Sequence, residues 1–195
     1  MSPEIFAFIR GMDKRTADTQ IALHCAPFLA GVKIASLLIV ENGQLSRVRE
    51  LLQDTELSWF LLYESEDQAV LLLYRERPLQ QYLEQPKVRQ MLGRFDYRND
   101  SLEGLLSAFA LRYQAYRNGI ADFPHEMGLF LGYPVADVRG FIENGGKNFL
   151  YSGYWKVYQD KSEKIQLFHQ FDRAKESFLR LLARGFCMAE LLKYA

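Results

Sequence analysis

Two short segments carry apolar side chains at consecutive positions, Trp59-Phe60-Leu61-Leu62 and Val70-Leu71-Leu72-Leu73, with the polar stretch Ser65-Glu66-Asp67-Gln68 between them. Successive side chains of a strand point to opposite faces, so an unbroken apolar run needs cover on both. The two runs, residues 57–64 and 69–75, therefore predict an antiparallel hairpin within a sheet that helices must blanket. Upstream, residues 33–40 are leucine-rich and β-branched, Glu41-Asn42-Gly43 is a turn signal, and Leu45, Val48, Leu51 and Leu52 recur at helical spacing. The resulting order is β-α-β-β.

From Pro78 onward the pattern is helical. Helices are predicted over residues 79–84, 86–92 and 101–117, and over 162–183 with Ile165, Phe168, Phe171, Phe178 and Leu182 on one stripe. Ser101 reads as an N-cap, while Asn118-Gly119 and Gly185 read as stops. An earlier helix over residues 16–29 carries Ile21, Ala22, Cys25 and Leu29, with Pro27 near its end. Residues 154–158 add a short strand. The expected class is α+β: a small mixed sheet of three or four strands with a β-α-β-β core, packed by a predominantly helical C-terminal part. At 195 residues the chain is read as one domain, with a sheet-containing part over about 1–85 and a helical part over about 86–195.

The 24 basic and 24 acidic side chains cancel, so no long-range field draws the molecule to nucleic acid or to an anionic membrane. The longest apolar stretch is far shorter than the roughly 20 residues that span a bilayer, and no leader precedes it, which points to the cytoplasm without a membrane partner. Two cysteines, Cys25 and Cys187, lie far apart without metal-knuckle spacing and read as reduced thiols.

Four constellations could carry chemistry. His24-Cys25-Ala26-Pro27 precedes Lys33, but neighbouring helical residues point about 100° apart, so the imidazole does not activate the adjacent thiol and packing is the simpler reading of Cys25. Pro124-His125-Glu126 resembles a helix start able to receive an anion, or one in which Glu126 merely offsets the helix dipole. Gly145-Gly146-Lys147-Asn148, followed by Tyr151, Gly153, Tyr154, Trp155 and Lys156, mixes backbone freedom, cations and rings in a way that suits a phosphate or a flat conjugated ligand. Residues 124–143 fit helix-turn-helix spacing, yet beyond Arg139 the second helix offers Asp137 and Glu143, which repel a phosphate backbone. The basic residues Lys87, Arg89, Arg94 and Arg98 are interrupted by Asp96 and Asp100 and read as a solvated face. No pair of His or Cys has metal-ligand spacing, so no dedicated metal is expected.

The blocks HCAPFLAGVK (24–33), PHEMGLFLGYPVADVRGFIENGGKN (124–148) and GYWKVY (153–158) together resemble an uncharacterised bacterial family known as domain of unknown function 3793. The resemblance implies a grouping of the three blocks around one pocket, without implying a reaction. The first functional reading is a cytoplasmic small-molecule or cofactor-binding protein, with or without catalysis. In it Lys33, Lys147 and Lys156 meet an anionic group, Tyr154 and Trp155 stack, Glu126 and Asn148 line the site, and His24, Cys25 or His125 supply proton transfer or nucleophilic chemistry. The cofactor, if there is one, is left open. The alternative is an adaptor or regulatory module that docks a protein partner through its aromatic surface, and nucleic-acid binding ranks third.

Overall fold

The two apolar runs form the expected hairpin, and the third strand joins it on the far side. In the computed structural model, which describes residues 2–98 and 101–193, the chain divides into two compact units: Met1–Arg75 with His169–Ala195, and Glu76–Phe168. Helix makes up 55% of the described residues and strand 13%, which is the α+β class with helices dominant.

The first unit begins with α1 (Pro3–Gly11), which has Pro3 in its first turn, where the missing N–H costs nothing. The segment predicted as one helix over 16–29 is two, α2 (Ala17–His24) and α3 (Ala26–Leu29), broken at Cys25 because Pro27 cannot continue the ladder of α2. Thr16 caps α2 by accepting from the Thr19 N–H at 3.3 Å. There follow β1 (Ala35–Glu41), a single 3₁₀ turn at Asn42–Gln44, α4 (Leu45–Leu52), β2 (Ser58–Glu64) and β3 (Gln68–Tyr74). Strand order is β1-β3-β2. Both pairings are antiparallel, not mixed, because β3 inserts between the two strands that α4 connects. A register shift between Leu61 and Tyr63 bends β2.

Central β3 explains its own composition: Ala69 through Leu73 are all fully buried. Leu38, Leu71 and Leu61 share one face, and that face joins Ile21, Ala22, Val48, Leu51 and Leu52 in a single apolar cluster. The intervening Val70 and Leu72 are equally buried, so the two-faced cover demanded by the unbroken run is met at this strand. The outer strand β2 is only half-buried along most of its length.

The second unit contains α5 (Glu76–Leu83), α6 (Pro86–Gly93), α7 (Leu102–Arg117), α8 (Met127–Phe130) and α9 (Val135–Glu143), followed by a two-stranded hairpin of β4 (Tyr151–Ser152) and β5 (Lys156–Val157). Ser101 caps α7, its hydroxyl accepting from the Gly104 N–H at 3.1 Å. Gly119, at φ +71°, supplies the left-handed turn that stops α7. Phe109 of α7 and Phe130 of α8 stack at 4.4 Å between centroids, and Leu79, Leu83, Leu92 and Leu129 of the same unit are buried as well. The long α10 (Lys161–Ala183) starts in this unit and continues in the first, where α11 (Met188–Leu192) packs on α4. No helix among the described residues is long and apolar enough to cross a membrane. Asp100, which the sequence places within the basic stretch, lies outside the described residues.

Candidate functional site

The residues singled out in the sequence divide between the two units. His24, Cys25 and Lys33 belong to the first; His125, Glu126, Lys147, Asn148, Tyr154, Trp155 and Lys156 belong to the second.

In the first unit, Cys25 is fully buried in the apolar cluster, and burial pushes its thiol up to about 11, so at neutral pH it is a packed, neutral side chain. Burial likewise holds Lys33 below the ordinary ammonium range. His24 lines a cavity of about 550 Å³ together with Lys14, Arg15, Gln20, Leu37 and Ile39. Desolvation of the covered side of its ring, reinforced by the Lys175 charge, holds His24 below the usual imidazole value. Its backbone carbonyl accepts from the Ser36 hydroxyl at 3.1 Å, which ties the end of α2 to β1. Cys25 and Lys33 are not among the residues lining that cavity.

The second unit assembles more of its expected members in one place. A cavity of about 350 Å³ is lined by His125, Tyr133, Phe141, Tyr154, Trp155 and Lys156, with Asp137 and Gly128 in its wall. Its rings are ordered by contact. Trp155 stacks on Tyr133 at 4.5 Å and 25°, and meets Phe168 edge-on at 4.6 Å and 89°. Tyr154 packs on the same Phe168 at 5.5 Å. His125 lies 5.1 Å from Phe141 and 5.3 Å from Phe123. Gly153 allows this crowding: a Cβ there would sit 2.4 Å from Phe168 ring carbons.

Asp137 holds the wall together. This buried carboxylate accepts the Trp155 indole N–H at 2.7 Å through Oδ2, and the backbone N–H groups of Tyr158 and Gln159 at 2.7 and 3.2 Å through Oδ1. Both oxygens are thus occupied, which spreads its charge over three donors and fixes the indole plane. The cation in the wall is Lys156, whose ammonium donates to the Gly146 carbonyl at 2.7 Å and lies over the rings of Phe149 at 5.0 Å and Phe141 at 5.6 Å. An ammonium has three donors, and that hydrogen bond uses one. Gly146, at φ +70° with Phe141 carbons 3.1 Å from where a Cβ would stand, brings its carbonyl within reach of Lys156.

Three expected members fall outside this cavity. Lys147 is exposed, and it is its carbonyl, not its ammonium, that works locally, accepting the Tyr158 hydroxyl at 3.0 Å. Asn148 sits in the left-handed region at φ +56° and bonds back to Asn144 at 3.4 Å, forming a turn. The helix start expected after Pro124 is only four residues long, and Glu126 stands at its N-cap without a side-chain capping bond. Instead Glu126 is buried and accepts from Arg112 Nε at 2.5 Å and from the Tyr97 hydroxyl at 3.1 Å, both at Oε1. Burial, with the Glu126 charge adding to it, pushes the Tyr97 hydroxyl far above its ordinary value.

Asp137 and Tyr133 are the members of this cavity that sequence reasoning missed, and so is Arg112, the partner of Glu126 outside it. Asp137 stands four residues before Phe141 on α9, one turn away on the same face, so a carboxylate in line with that ring was the available signal. Arg112, between Leu111 and Tyr113 of α7, carries no local mark.

An α+β chain with an aromatic, lysine-containing cavity in its helical unit is the class that fold and site define. The family model described as "Protein of unknown function (DUF3793)" matches residues 21–192, and the chain belongs to that family. No curated protein and no solved structure matches the chain.

Proposed function

We propose that this is a bacterial cytoplasmic protein that binds a flat, conjugated small molecule bearing an anionic group, in the cavity walled by Tyr133, Trp155 and Tyr154 with Lys156 beside them. The observation that carries this reading is the shared wall of rings and ammonium around about 350 Å³, a volume at the small end of ligand sites and suited to one or two fused rings. Ring faces stack with the ligand plane, while the spare donors of Lys156 meet its charge. His125, in the same wall, is the residue placed to exchange a proton with a bound ligand. The free thiols Cys25 and Cys187 favour a reducing compartment.

Native mass spectrometry of the purified protein, with absorbance beyond the aromatic band, reads out any retained ligand. In titrations followed by tryptophan fluorescence, 1-naphthyl phosphate binds and 1-naphthol binds at least tenfold more weakly; Lys156→Met removes that difference. A protein that carries no ligand and binds neither naphthyl compound overturns the reading.

A second reading, docking of a protein partner, is favoured by one observation: Phe149, Leu150, Tyr151 and Tyr154 are all exposed, at 41, 53, 38 and 36%. Gel filtration of a Leu150→Glu, Tyr151→Glu variant against the wild type tests it, because a self-associating or partner-bound surface would lose its complex.

A further inference from the structure

The groove between α6 and α9 gathers cations that lie far apart in the chain. Lys87, Gln90 and Met91 of α6 and Arg94 directly after it recur at helical spacing, which puts them on one face. α9 packs on α6, and its Val135, Ala136 and Arg139 line the same cavity, of about 230 Å³, from the other helix. Gln159, whose backbone N–H is tied to Asp137 at 3.2 Å, completes the lining.

The charge of this cavity is one-sided. Its polar members are three cations and two amides, with no carboxylate among them. Lys87, Arg94 and Arg139 make no ion pair or side-chain hydrogen bond among the described residues. In the sequence Asp96 interrupts this basic stretch, but in the fold its carboxylate takes Arg98 at 3.3 Å. Arg112 shows the contrast: it lines a cavity of about 470 Å³ together with Glu126, and that carboxylate already holds its Nε. Like charges gathered around a small cavity repel one another, and an anion placed between them turns that repulsion into attraction.

We propose that this groove binds a phosphate dianion, free or carried by a small polar molecule. Charge and shape select the group together. Phosphate puts about two negative charges on one centre near neutral pH, which answers three cations better than the single charge of a carboxylate. Lys87 and Arg94 are separated by about 10 Å of helix rise, and Arg139 comes from the facing helix, so acceptors have to point in three directions from one centre. The terminal oxygens of a tetrahedral phosphate do so. A carboxylate offers two oxygens in one plane, and a dicarboxylate places its oxygens at the two ends of a longer body. The amides of Gln90 and Gln159 can each donate to or accept from a hydroxyl-bearing remainder, and the small volume limits that remainder to a few carbons. A nucleic-acid backbone calls for a row of cations along an open face, whereas the row on α6 faces a second helix. This site shares no residue with the aromatic cavity and does not rest on the reading given for it.

Isothermal titration calorimetry on the full chain, at one low salt concentration, tests it with glycerol 3-phosphate, inorganic phosphate, glycerol and succinate. At least one of the two phosphate compounds should bind, glycerol should not, and succinate should bind at least tenfold more weakly than the better phosphate compound. Inorganic phosphate binding as tightly as the ester or more so assigns the site to the free anion, and tighter binding of the ester assigns it to a phosphorylated small molecule. Lys87→Gln, Arg94→Gln and Arg139→Gln, at exposed positions where the change leaves no buried charge unpaired, should each weaken binding at least fivefold. Arg98→Gln, which removes the same charge from the same stretch outside the groove, should leave it within twofold. The proposal is overturned if neither phosphate compound binds, if succinate binds as well as they do, if Arg139→Gln binds normally, or if Arg98→Gln weakens binding as much as the groove variants. It is also overturned if a short random-sequence DNA duplex binds more tightly than either phosphate compound and is lost with the same three substitutions, which would give this face to nucleic acid.

Discussion

The sheet unit and the helical unit treat their reactive side chains in opposite ways. In the sheet unit, Cys25 sits in an apolar cluster with its thiol neutral, and Lys33 is held low by burial, so groups that look chemical in the sequence are absorbed into packing. In the helical unit the buried charges stand in cavity walls: Asp137 aims an indole, and Glu126 steadies a guanidinium. The difference teaches that a titratable residue becomes part of a site when its partners orient another group toward open space, not when it is merely near other titratable residues in the chain.

The comparison breaks most readily at the centre of the sheet. Leu71→Ala removes a fully buried side chain from the apolar cluster and should cost about 2–5 kcal/mol, read from urea denaturation. A loss below about 0.5 kcal/mol would show that packing does not dominate this unit. Next in size is Asp137→Asn, which turns an acceptor facing three N–H groups into a mixed donor and acceptor. It should cost about 1–3 kcal/mol and shift the Trp155 emission to longer wavelength as the indole loosens. Unchanged emission would mean that Asp137 is structural glue alone.

The smallest effect concerns Cys25, and its sign follows from linkage. The folded thiol, raised from its ordinary 9.0 to about 11, keeps its proton where the unfolded thiol loses it. Its contribution to stability is therefore complete below about pH 9 and is lost as pH rises toward 11, about 1 kcal/mol of it by the midpoint. Urea midpoints for the wild type and Cys25→Ala, compared at both ends of that range, should converge at the alkaline end. In native protein at neutral pH a thiol reagent should label exposed Cys187 and spare Cys25; equal labelling would return Cys25 to the list of reactive groups.

Much of the scaffold was legible in the residues. Unbroken apolar runs at 59–62 and 70–73 implied a doubly covered hairpin, and the cap at Ser101 and the stop at Gly119 delimited α7, because these signals act over one to four neighbouring residues. The break of α2 at Cys25 was visible in Pro27, although one helix was expected over 16–29, and α1 and α11 went unpredicted. The candidate site was legible in part. Tyr154, Trp155, Lys156 and His125 were expected together and share a wall, whereas Lys147 and Asn148 had only proximity in sequence to recommend them.

What the chain's order of residues determined by itself was where strands and helices begin and end, and which positions must be hidden from water, since hydrophobic periodicity and capping are local. The tertiary structure alone decided that Glu126 belongs to Arg112, 14 positions away, and Asp137 to Trp155, 18 positions away. Those pairings depend on which helix faces come together, and a charge buried far from its partner in sequence carries no sign of the neighbour that will neutralise it.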